Sequence, residues 1–396
     1  MPLKVYPRLE IDIGWDDLSF ALAGKAPPPE VSEHAIHNAF PNHPCIAALS
    51  VRTAFLALLQ ALKPPRGAEI IMSAVNIENM ADIVLANGLV PVAADIDLET
   101  LAPSPEAVRG LITDRTILYL HAHLYGSRTS LEPVSNICRA RNVLLVEDCA
   151  QAYDGATWHG SSEADISLFS FGPIKPATAL GGAVMRVRAP ELYAKVRAEL
   201  ANWPLQDNAA VSRRARKMMA FKLLSRPHLY ALLLGVLRMS GKDAEKIIGS
   251  AARGFAPGDL IEQIMKRPSP RLLALMARRL SSPPDSAWRR GAAARLRNAL
   301  RTDVFTPGSK ADAHAYWFYP ILVENPLEVI KRLRSAGFDA TRGATSMRAI
   351  GEAPNATRLI ENVVYLPLSP RMPDRQIDRM AGVVNGIANA TWARAA

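Results

Sequence analysis

The chain has 396 residues, of which 49% are apolar and 21% are charged, an ordinary globular composition with room for two or three domains. Its formal net charge of +10 favours an acidic partner, such as nucleic acid, an anionic membrane or a phosphorylated small molecule. Three cysteines without a motif exclude a disulfide framework and indicate a reducing cytoplasm. The N-terminal residues lack the apolar core of a signal peptide, so export is not expected.

The first part of the chain, residues 1–195, alternates helical patterns with short apolar strands from about Cys45 to Arg188. The predicted strands are AEIIMS, VPVAAD, TILYLHA, NVLLVED and ISLFSF, and the predicted helices include SVRTAFLALLQAL, PEAVRGLI and LEPVSNICRARN. Strands that are apolar almost throughout are typical of a parallel sheet covered on both faces. We therefore expect a large α/β domain here.

The second part, residues 196–302, is rich in Leu, Ala, Arg and Met and has helical periodicity, which predicts a helical insertion. Two groups of cations lie in it, Arg213, Arg214, Arg216, Lys217, Lys222 and Arg226, then Arg278, Arg279, Arg289, Arg290, Arg295 and Arg297. Such runs are usually solvated helix faces, and they match no nucleic-acid motif, so no nucleic-acid partner is expected.

The most apolar run of this part, HLYALLLGVL, is about half the length needed to span a bilayer. Two alternatives stay open for it. It is either a buried helix or, with its basic flank, part of a segment 218–239 that lies in a membrane interface.

The third part, residues 303–396, predicts a small C-terminal α/β domain packed on the large one. Its pattern consists of the strand YWFYPILVE, the helix PLEVIKRLRSAGF, the strand NVVYLPLS and the final helix PDRQIDRMAGVVNGI.

Two residues of the first part are candidates for a catalytic site. Asp148 ends the apolar strand NVLLVED, and open parallel sheets bind ligands at the carboxyl ends of their strands. Lys175 follows the next strand in a loop of small residues, so its amine can condense with an aldehyde. Pyridoxal phosphate (PLP) needs such a lysine and a carboxylate facing its pyridine nitrogen. Each residue alone has an ordinary interpretation, as a helix cap or a surface lysine, and the pair is what indicates a PLP site.

The segments that carry these residues, EDCAQAYDG and SFGPIKPATALGG, together with HLYG and the closing RLIENVVYLPLSPRMPDRQIDRMAGVV, resemble the DegT/DnrJ/StrS-type sugar aminotransferases. The resemblance covers about residues 40–190 and 265–385. It implies PLP-dependent fold type I, with a mainly parallel, seven-stranded-type sheet, and a homodimer in which each site is completed by its neighbour.

The resemblance also implies residue roles. Asp148 would face the pyridine nitrogen, Gln151 would lie against the ring, Ser170 would contact the phosphate and Lys175 would form the Schiff base with PLP. The phosphate would further meet Ser50, Val51 and Arg52 at a helix N-terminus. His123 of HLYG is either structural or a substrate residue.

Several positions depart from the family pattern. Val51–Arg52 replaces a Gly-Thr pair, and Ile77 replaces the aromatic residue that stacks on the PLP ring. The asparagine that a neighbouring subunit offers to the phosphate aligns near Met265, with Lys266 or Arg267 as substitutes. The insertion between Trp203 and Gln263 has no counterpart.

The leading hypothesis is an aminotransferase that moves an amino group from a donor such as glutamate to a keto acceptor, possibly a nucleotide-linked or other anionic keto-sugar. Lys175 would move the proton as general acid and base. The candidates for binding an anionic acceptor are Arg52, Arg267, Arg342 and the two groups of cations in residues 196–302. No metal is expected.

Three alternatives stay open. The protein acts on an amphiphilic ketone at a membrane surface, through residues 218–239. It is a non-catalytic binding protein on the same fold, as the altered Val51–Arg52 and Ile77 positions suggest. It is a PLP enzyme of another reaction type, although the family's sugar dehydratases carry a histidine where this chain has Lys175.

Overall fold

The computed structural model describes residues 2–41, 43–155, 158–252, 258–283, 285–343 and 346–387. Up to residue 187 the chain alternates helices and strands. In chain order these are α1 (Trp15–Ala23), α2 (Pro29–Asn38), β1 (Cys45–Ala48), α3 (Val51–Leu62), β2 (Glu69–Ser73), β3 (Val75–Ile77), α4 (Glu78–Ala86), β4 (Val90–Ala94), α5 (Pro105–Leu111), β5 (Thr116–Ala122), β6 (Ser127–Arg128), α6 (Glu132–Ala140), β7 (Leu144–Asp148), β8 (Ile166–Ser170) and β9 (Ala183–Val187).

The remainder is first helical and then mixed. Its elements are α7 (Pro190–Ala201), α8 (Asn208–Leu224), α9 (Pro227–Met239), α10 (Ala244–Ala252), α11 (Leu260–Ile264), α12 (Pro270–Ser281), α13 (Ala287–Ala299), β10 (Ala313–His314), β11 (Tyr319–Leu322), α14 (Pro326–Ser335), β12 (Met347–Ala349), α15 (Pro354–Asn362), β13 (Val363–Leu366) and α16 (Asp374–Asn385).

The central sheet has seven strands in the spatial order β1-β9-β8-β7-β5-β2-β4. The strands from β8 to β4 run parallel to one another, and β9 is antiparallel to both β8 and β1. This confirms the expected mainly parallel, seven-stranded sheet between helices. The apolar runs identify the five parallel strands but not β1 and β9, which lie at one side of the sheet.

Helix α3 covers one face of the sheet and begins where β1 ends. The Ser50 side-chain oxygen accepts a hydrogen bond from the Thr53 backbone N–H at 3.1 Å and so caps the helix. Most of the helix is buried against β8 and β9, in a core that includes Phe55 and Leu58. The cap and the apolar pattern together place the start of this helix at one edge of the sheet.

The helices between residues 190 and 299 pack on different cores. Helices α7 and α11 pack in the same core as α3. Helices α8 and α12 pack with α1 and α2 in a second core, on the opposite face of the sheet. Helix α13 packs on α16 in the C-terminal core, which also contains Tyr6. The domain bounds 1–195, 196–302 and 303–396 stay a prediction.

The C-terminal part contains the antiparallel pair β11–β13, covered by α14 and α16, while β12 pairs with β3. The predicted strand YWFYPILVE is shorter in the structure, because Tyr316 has a φ of +49° and the extended ladder starts only at Tyr319. This break leaves Trp317 outside the strand, where it reaches the site described below.

Helix α9 corresponds to the most apolar run, and it is buried on one side only. Tyr230 and Leu237 are buried, whereas Leu232 and Val236 are exposed. The alternative of a wholly buried helix is therefore wrong for its outer face. Among the described residues, every helix is too short or too polar to cross a bilayer.

Candidate active site

The register of the sheet brings the predicted residues to one edge. Ala183 of β9 lies opposite Ala48 on one side and Ser170 on the other, so β1 and β8 end at the same level. Asp148, the last residue of β7, pairs with Leu168 of β8. The N-terminus of α3 and the loops after β7 and β8 therefore open over the carboxyl ends of the parallel strands, where ligands of open α/β sheets bind.

Lys175 and Asp148 lie close together in this crevice, where Asp148 is buried and Lys175 is half-buried. Burial lowers the pKa of the Lys175 amine, the Asp148 charge raises it and the Arg52 charge lowers it, with a result of about 7. Burial raises the pKa of Asp148, whereas a hydrogen bond from the Ala150 N–H and the charges of Lys175, His123 and Arg52 oppose that rise. About half of the amine is thus in its neutral, nucleophilic form near pH 7.

Trp317 is a site residue that the sequence patterns did not identify. The Lys175 Nζ lies 3.5 Å from the centre of its ring, a cation–π geometry. The indole N–H donates to the Ile174 carbonyl at 2.9 Å, which fixes the ring beside the lysine loop. The residue lies far along the chain from Lys175, in a segment predicted as a plain strand, and so no local pattern indicated it.

The lysine loop turns tightly, so that Ser170 and Lys175 share one side of it. The Lys175 backbone N–H donates to the Gly172 carbonyl at 3.0 Å. A Cβ atom on Gly172 would lie 3.7 Å from Ser170 Oγ and 3.9 Å from Lys175 Cγ, so both side chains flank this glycine. Ala177 adopts a positive φ of +54°, and its N–H donates to Asp12 at 3.0 Å.

The start of α3 lies at one end of the crevice. Ser50 caps the helix, Val51 is buried, and Arg52 is half-buried near Asp148. The Thr53 hydroxyl donates to the Ile264 carbonyl at 3.0 Å, which ties α11 to this helix start. Free N–H groups at a helix N-terminus and a nearby guanidinium favour a phosphate.

Gln151 is held by the β5–β6 loop. Its side-chain oxygen accepts from the Tyr125 N–H at 2.8 Å, and its amide nitrogen lies 3.1 Å from the Met347 sulfur. Met347 pairs in the β12–β3 ladder with Ile77, which is half-buried. Gln151 and Ile77 therefore have a common neighbour at the same end of the sheet.

His123 lies beneath the crevice in a buried network. Its Nε2 is 3.0 Å from a Glu147 carboxylate oxygen, and its ring packs edge-on against His121 and Trp158. Possible metal-ligand atoms of His123, Glu147 and Cys149 lie within 4.8 Å of one another. The second Glu147 oxygen accepts hydrogen bonds from Ser167 Oγ at 2.6 Å and the Ser161 N–H at 2.7 Å, an arrangement typical of a hydrogen-bond network.

The structure does not bring the other predicted substrate residues to Lys175. Arg267 donates to the Trp203 carbonyl at 2.9 Å, and Lys266 next to it is half-buried. Arg342 is exposed, and its guanidinium lies 3.5 Å from the Ile360 carbonyl. Their expected roles in holding the acceptor stay predictions.

The donor set of the crevice fits PLP. A neutral amine can bind its aldehyde, a buried carboxylate can accept from its pyridine nitrogen, and a capped helix start with a guanidinium can hold its phosphate. The seven-stranded sheet and this arrangement define the class of the protein as the fold type I PLP-dependent enzymes.

The family follows from a comparison with known proteins. Residues 32–222, just under half of the chain, match the DegT/DnrJ/EryC1/StrS aminotransferase family. The match contains Asp148, Gln151, Ser170 and Lys175, and it confirms the resemblance identified from the motifs. The matched family model is described as one of aminotransferases, and proteins with this fold include one solved with bound PLP.

Two curated relatives illustrate the match. The L-glutamine:2-deoxy-scyllo-inosose aminotransferase of Streptomyces fradiae is 32% identical over 38% of this chain and 36% of its own length. The UDP-N-acetyl-3-dehydro-alpha-D-glucosamine 3-aminotransferase of Acidithiobacillus ferrooxidans is 32% identical over 52% of this chain and 58% of its own length. The chain thus aligns with about a third to three fifths of these relatives.

A solved structure with the same fold is the aminotransferase TlmJ from Streptoalloteichus hindustanus. Its TM-score is 0.69 at 18% identity, with 96% of this chain and 98% of that chain covered. The fold expected from the sequence is therefore confirmed over nearly the whole chain. The expectation that the segment between Trp203 and Gln263 has no counterpart is wrong, because the uncovered 4% of this chain is much shorter than that segment.

Proposed function

We propose that the protein is a PLP-dependent aminotransferase that moves an amino group from an amino acid to the keto group of a sugar. The observation that carries the proposal is the half-buried Lys175 amine, with a pKa of about 7, beside the buried Asp148 carboxylate at the carboxyl edge of the sheet.

When bound, PLP supplies an electron-accepting ring that stabilises the carbanion formed at the α-carbon of an amino donor. Asp148 would accept the N–H of the pyridine nitrogen, and the proximity of Lys175 and Arg52 favours its ionised form. Ser50, Val51, Arg52 and Ser170 would hold the phosphate, and Gln151 and Ile77 would border the ring.

Lys175 would have two tasks. Its neutral amine binds the cofactor covalently and, once released, takes a proton from the donor's α-carbon and delivers it to the cofactor carbon. Because the pKa of Lys175 is about 7, the amine can both accept and release a proton near neutral pH. Trp317 would restrict the amine to one side of the crevice.

The proposed acceptor is a keto-sugar, possibly linked to a nucleotide. Both curated relatives are named as aminotransferases of keto groups on sugar-like rings, and the first of them uses L-glutamine as donor. Glutamate is the donor expected from the resemblance, and so both amino acids are candidates here. An amphiphilic ketone is the alternative acceptor.

The test is spectroscopic. Purified protein with added PLP should show a visible absorbance band that shifts on addition of L-glutamate or L-glutamine. Borohydride should trap a covalent PLP adduct in the wild type, and Lys175→Ala should abolish both the adduct and turnover. Lys195→Ala, which removes an exposed lysine of α7, is the matched control and should keep both.

Two results would contradict the proposal. A protein that stays colourless with PLP favours a non-catalytic binding protein on this fold. An adduct that persists in Lys175→Ala would assign the chemistry to another lysine.

The proposal includes a cytoplasmic homodimer. The resemblance supports the dimer, in which Lys266 or Arg267 of each subunit could contact the neighbour's phosphate. All three cysteines, Cys45, Cys138 and Cys149, are free, which supports a reducing compartment. Light scattering during gel filtration tests the dimer, and a monomeric, active protein would contradict it. Peripheral membrane contact through residues 218–239 is treated next.

A further inference from the structure

Residues 208–242 form a stretch without a single carboxylate. They contribute most of the net charge of +10 of the whole chain. The cations are Arg213, Arg214, Arg216, Lys217, Lys222, Arg226, Arg238 and Lys242. A concentration of positive charge along one stretch of the chain attracts an anionic surface.

Helix α9 lies within this stretch and has an exposed apolar face. Leu232, Val236 and Met239 are 64%, 49% and 83% exposed. Their spacing of four and three residues places them on one side of the helix. The opposite side carries the buried Tyr230 and Leu237.

The orientation of α9 is fixed by a buried polar network. The Tyr230 hydroxyl donates to Asp339 at 2.5 Å, and Asp339 in turn forms an ion pair with Arg8 at 2.7 Å. Turning Leu232 inward would break these buried bonds, which is costly. The apolar face is therefore held toward solvent.

The same face continues past the N-terminus of α9. His228 lies one turn before Leu232, and its Nδ1 is 3.1 Å from the Leu3 carbonyl. Leu3 itself is 89% exposed. An apolar strip thus runs from Leu3 through Leu232 and Val236 to Met239.

A basic cavity of about 420 Å³ opens at the Leu3 end of the strip. Lys4, Arg226, His228 and Arg371 line it, and Arg371 also pairs with Glu10 at 3.2 Å. A cavity with these side chains is suited to a phosphate group.

We propose that this face docks on an anionic phospholipid bilayer, with the apolar strip in the interface and a lipid phosphate in the basic cavity. Apolar residues flanked by cations are the pattern of interfacial membrane binding. A second copy of the chain fits the face less well, because two such cationic stretches would repel each other. The inference does not depend on the proposed reaction.

The experiment is flotation of the full-length protein with vesicles of phosphatidylcholine, alone or mixed with phosphatidylglycerol. We expect binding to the mixed vesicles only, and weaker binding as salt is added. Lys4→Gln and Arg226→Gln should each weaken partitioning about fivefold, and Leu232→Ser with Val236→Ser should weaken it roughly tenfold or more.

The matched controls remove equivalent side chains elsewhere. Leu327→Ser changes a leucine of α14 that is 70% exposed, and Arg109→Gln changes an exposed arginine of α5. Both should bind vesicles like the wild type. Circular dichroism shows whether each variant is folded.

Three outcomes would overturn the proposal. The first is no binding to the mixed vesicles at low salt. The second is equal binding to phosphatidylcholine alone. The third is a concentration-dependent self-association that disappears in the Leu232→Ser, Val236→Ser variant, which would assign the face to a second copy.

Discussion

Burial and two charged neighbours, Asp148 and Arg52, together set the pKa of the Lys175 amine. Burial lowers its pKa, Asp148 raises it and Arg52 lowers it again. Arg52, which replaces a residue of the family pattern, therefore affects the pKa of Lys175 as well as offering a contact for phosphate. Its charge helps to keep the lysine neutral, a property that a Gly-Thr pair at this position could not provide.

The first prediction concerns this balance. In cofactor-free protein, reductive methylation of Lys175 should follow a midpoint near pH 7, because only the neutral amine reacts. Arg52→Gln should raise the midpoint by removing a like charge, and Asp148→Asn should lower it by roughly one unit or more by removing an opposite charge. Peptide mass spectrometry measures the profile.

Arg109→Gln serves as the control for Arg52→Gln, since it removes an exposed arginine remote from the strand edge that holds Lys175. Equal midpoints in Arg52→Gln and the wild type would show that the two charges do not interact.

The second prediction concerns the ring over this amine. Trp317→Leu removes the cation–π contact, which contributes about 0.5–2 kcal/mol to the charged form. The Lys175 midpoint should therefore fall by roughly 0.4–1.5 units, whereas Trp317→Phe should shift it less. A midpoint that rises in Trp317→Leu would mean that the ring acts mainly by excluding water.

At the scale of elements, the structure explains why the HLYG segment ends in a glycine, Gly126. Gly126 adopts a φ of +103°, and a Cβ atom there would lie 2.7 Å from the Tyr316 backbone nitrogen and 2.9 Å from that of Trp317. The glycine thus lets the β5–β6 loop, which holds Gln151 through Tyr125, approach the segment that carries Trp317.

The third prediction follows. Gly126→Ala should lower the free energy of unfolding by about 2–4 kcal/mol, because it combines a positive φ with a backbone clash. Gly110→Ala, at an exposed helical position with open space around it, should instead stabilise by about 0.5–1 kcal/mol. Urea unfolding measures both, and similar values would contradict the close approach.

At the scale of the whole molecule, one polar network joins the N-terminal segment, the insertion and the C-terminal part. Arg8 pairs with Asp339 at 2.7 Å and with Glu245 at 3.0 Å, and Arg334 pairs with Glu245 at 2.7 Å. Residues far apart along the chain thus hold α9 and α10 against α14 and the residues that follow it.

The fourth prediction uses the pH dependence of this network. Burial acts to raise the pKa of Glu245, but the charge of Arg8 and hydrogen bonds from Thr341 and Arg334 lower it to about 2. Because the folded-state pKa is depressed, the stabilisation is complete above the unfolded value of 4.5 and is lost as pH falls toward 2.

The difference in unfolding free energy between the wild type and Glu245→Gln should therefore shrink from pH 5 to pH 2. Denaturant titrations across this range measure it, with Glu30→Gln on α2 as the exposed control. A difference that stays constant with pH would exclude the ionised pairing.

The sequence by itself determined the parallel strands, the start of α3 and the Asp148–Lys175 pair. Apolar runs and capping residues are local signals, and the carboxyl ends of neighbouring parallel strands necessarily meet at one edge. For the same reason the family motifs, which lie at these strand ends, could be recognised directly in the chain.

Only the tertiary structure decided that Trp317 covers the lysine, that Arg52 lies half-buried near Asp148 and that α9 keeps one apolar face in solvent. These properties depend on contacts between segments far apart in the chain, and on burial, which sets the local dielectric and so the pKa of each charged group. Helical periodicity shows that α9 is apolar, but it cannot show which of its sides the rest of the molecule leaves uncovered.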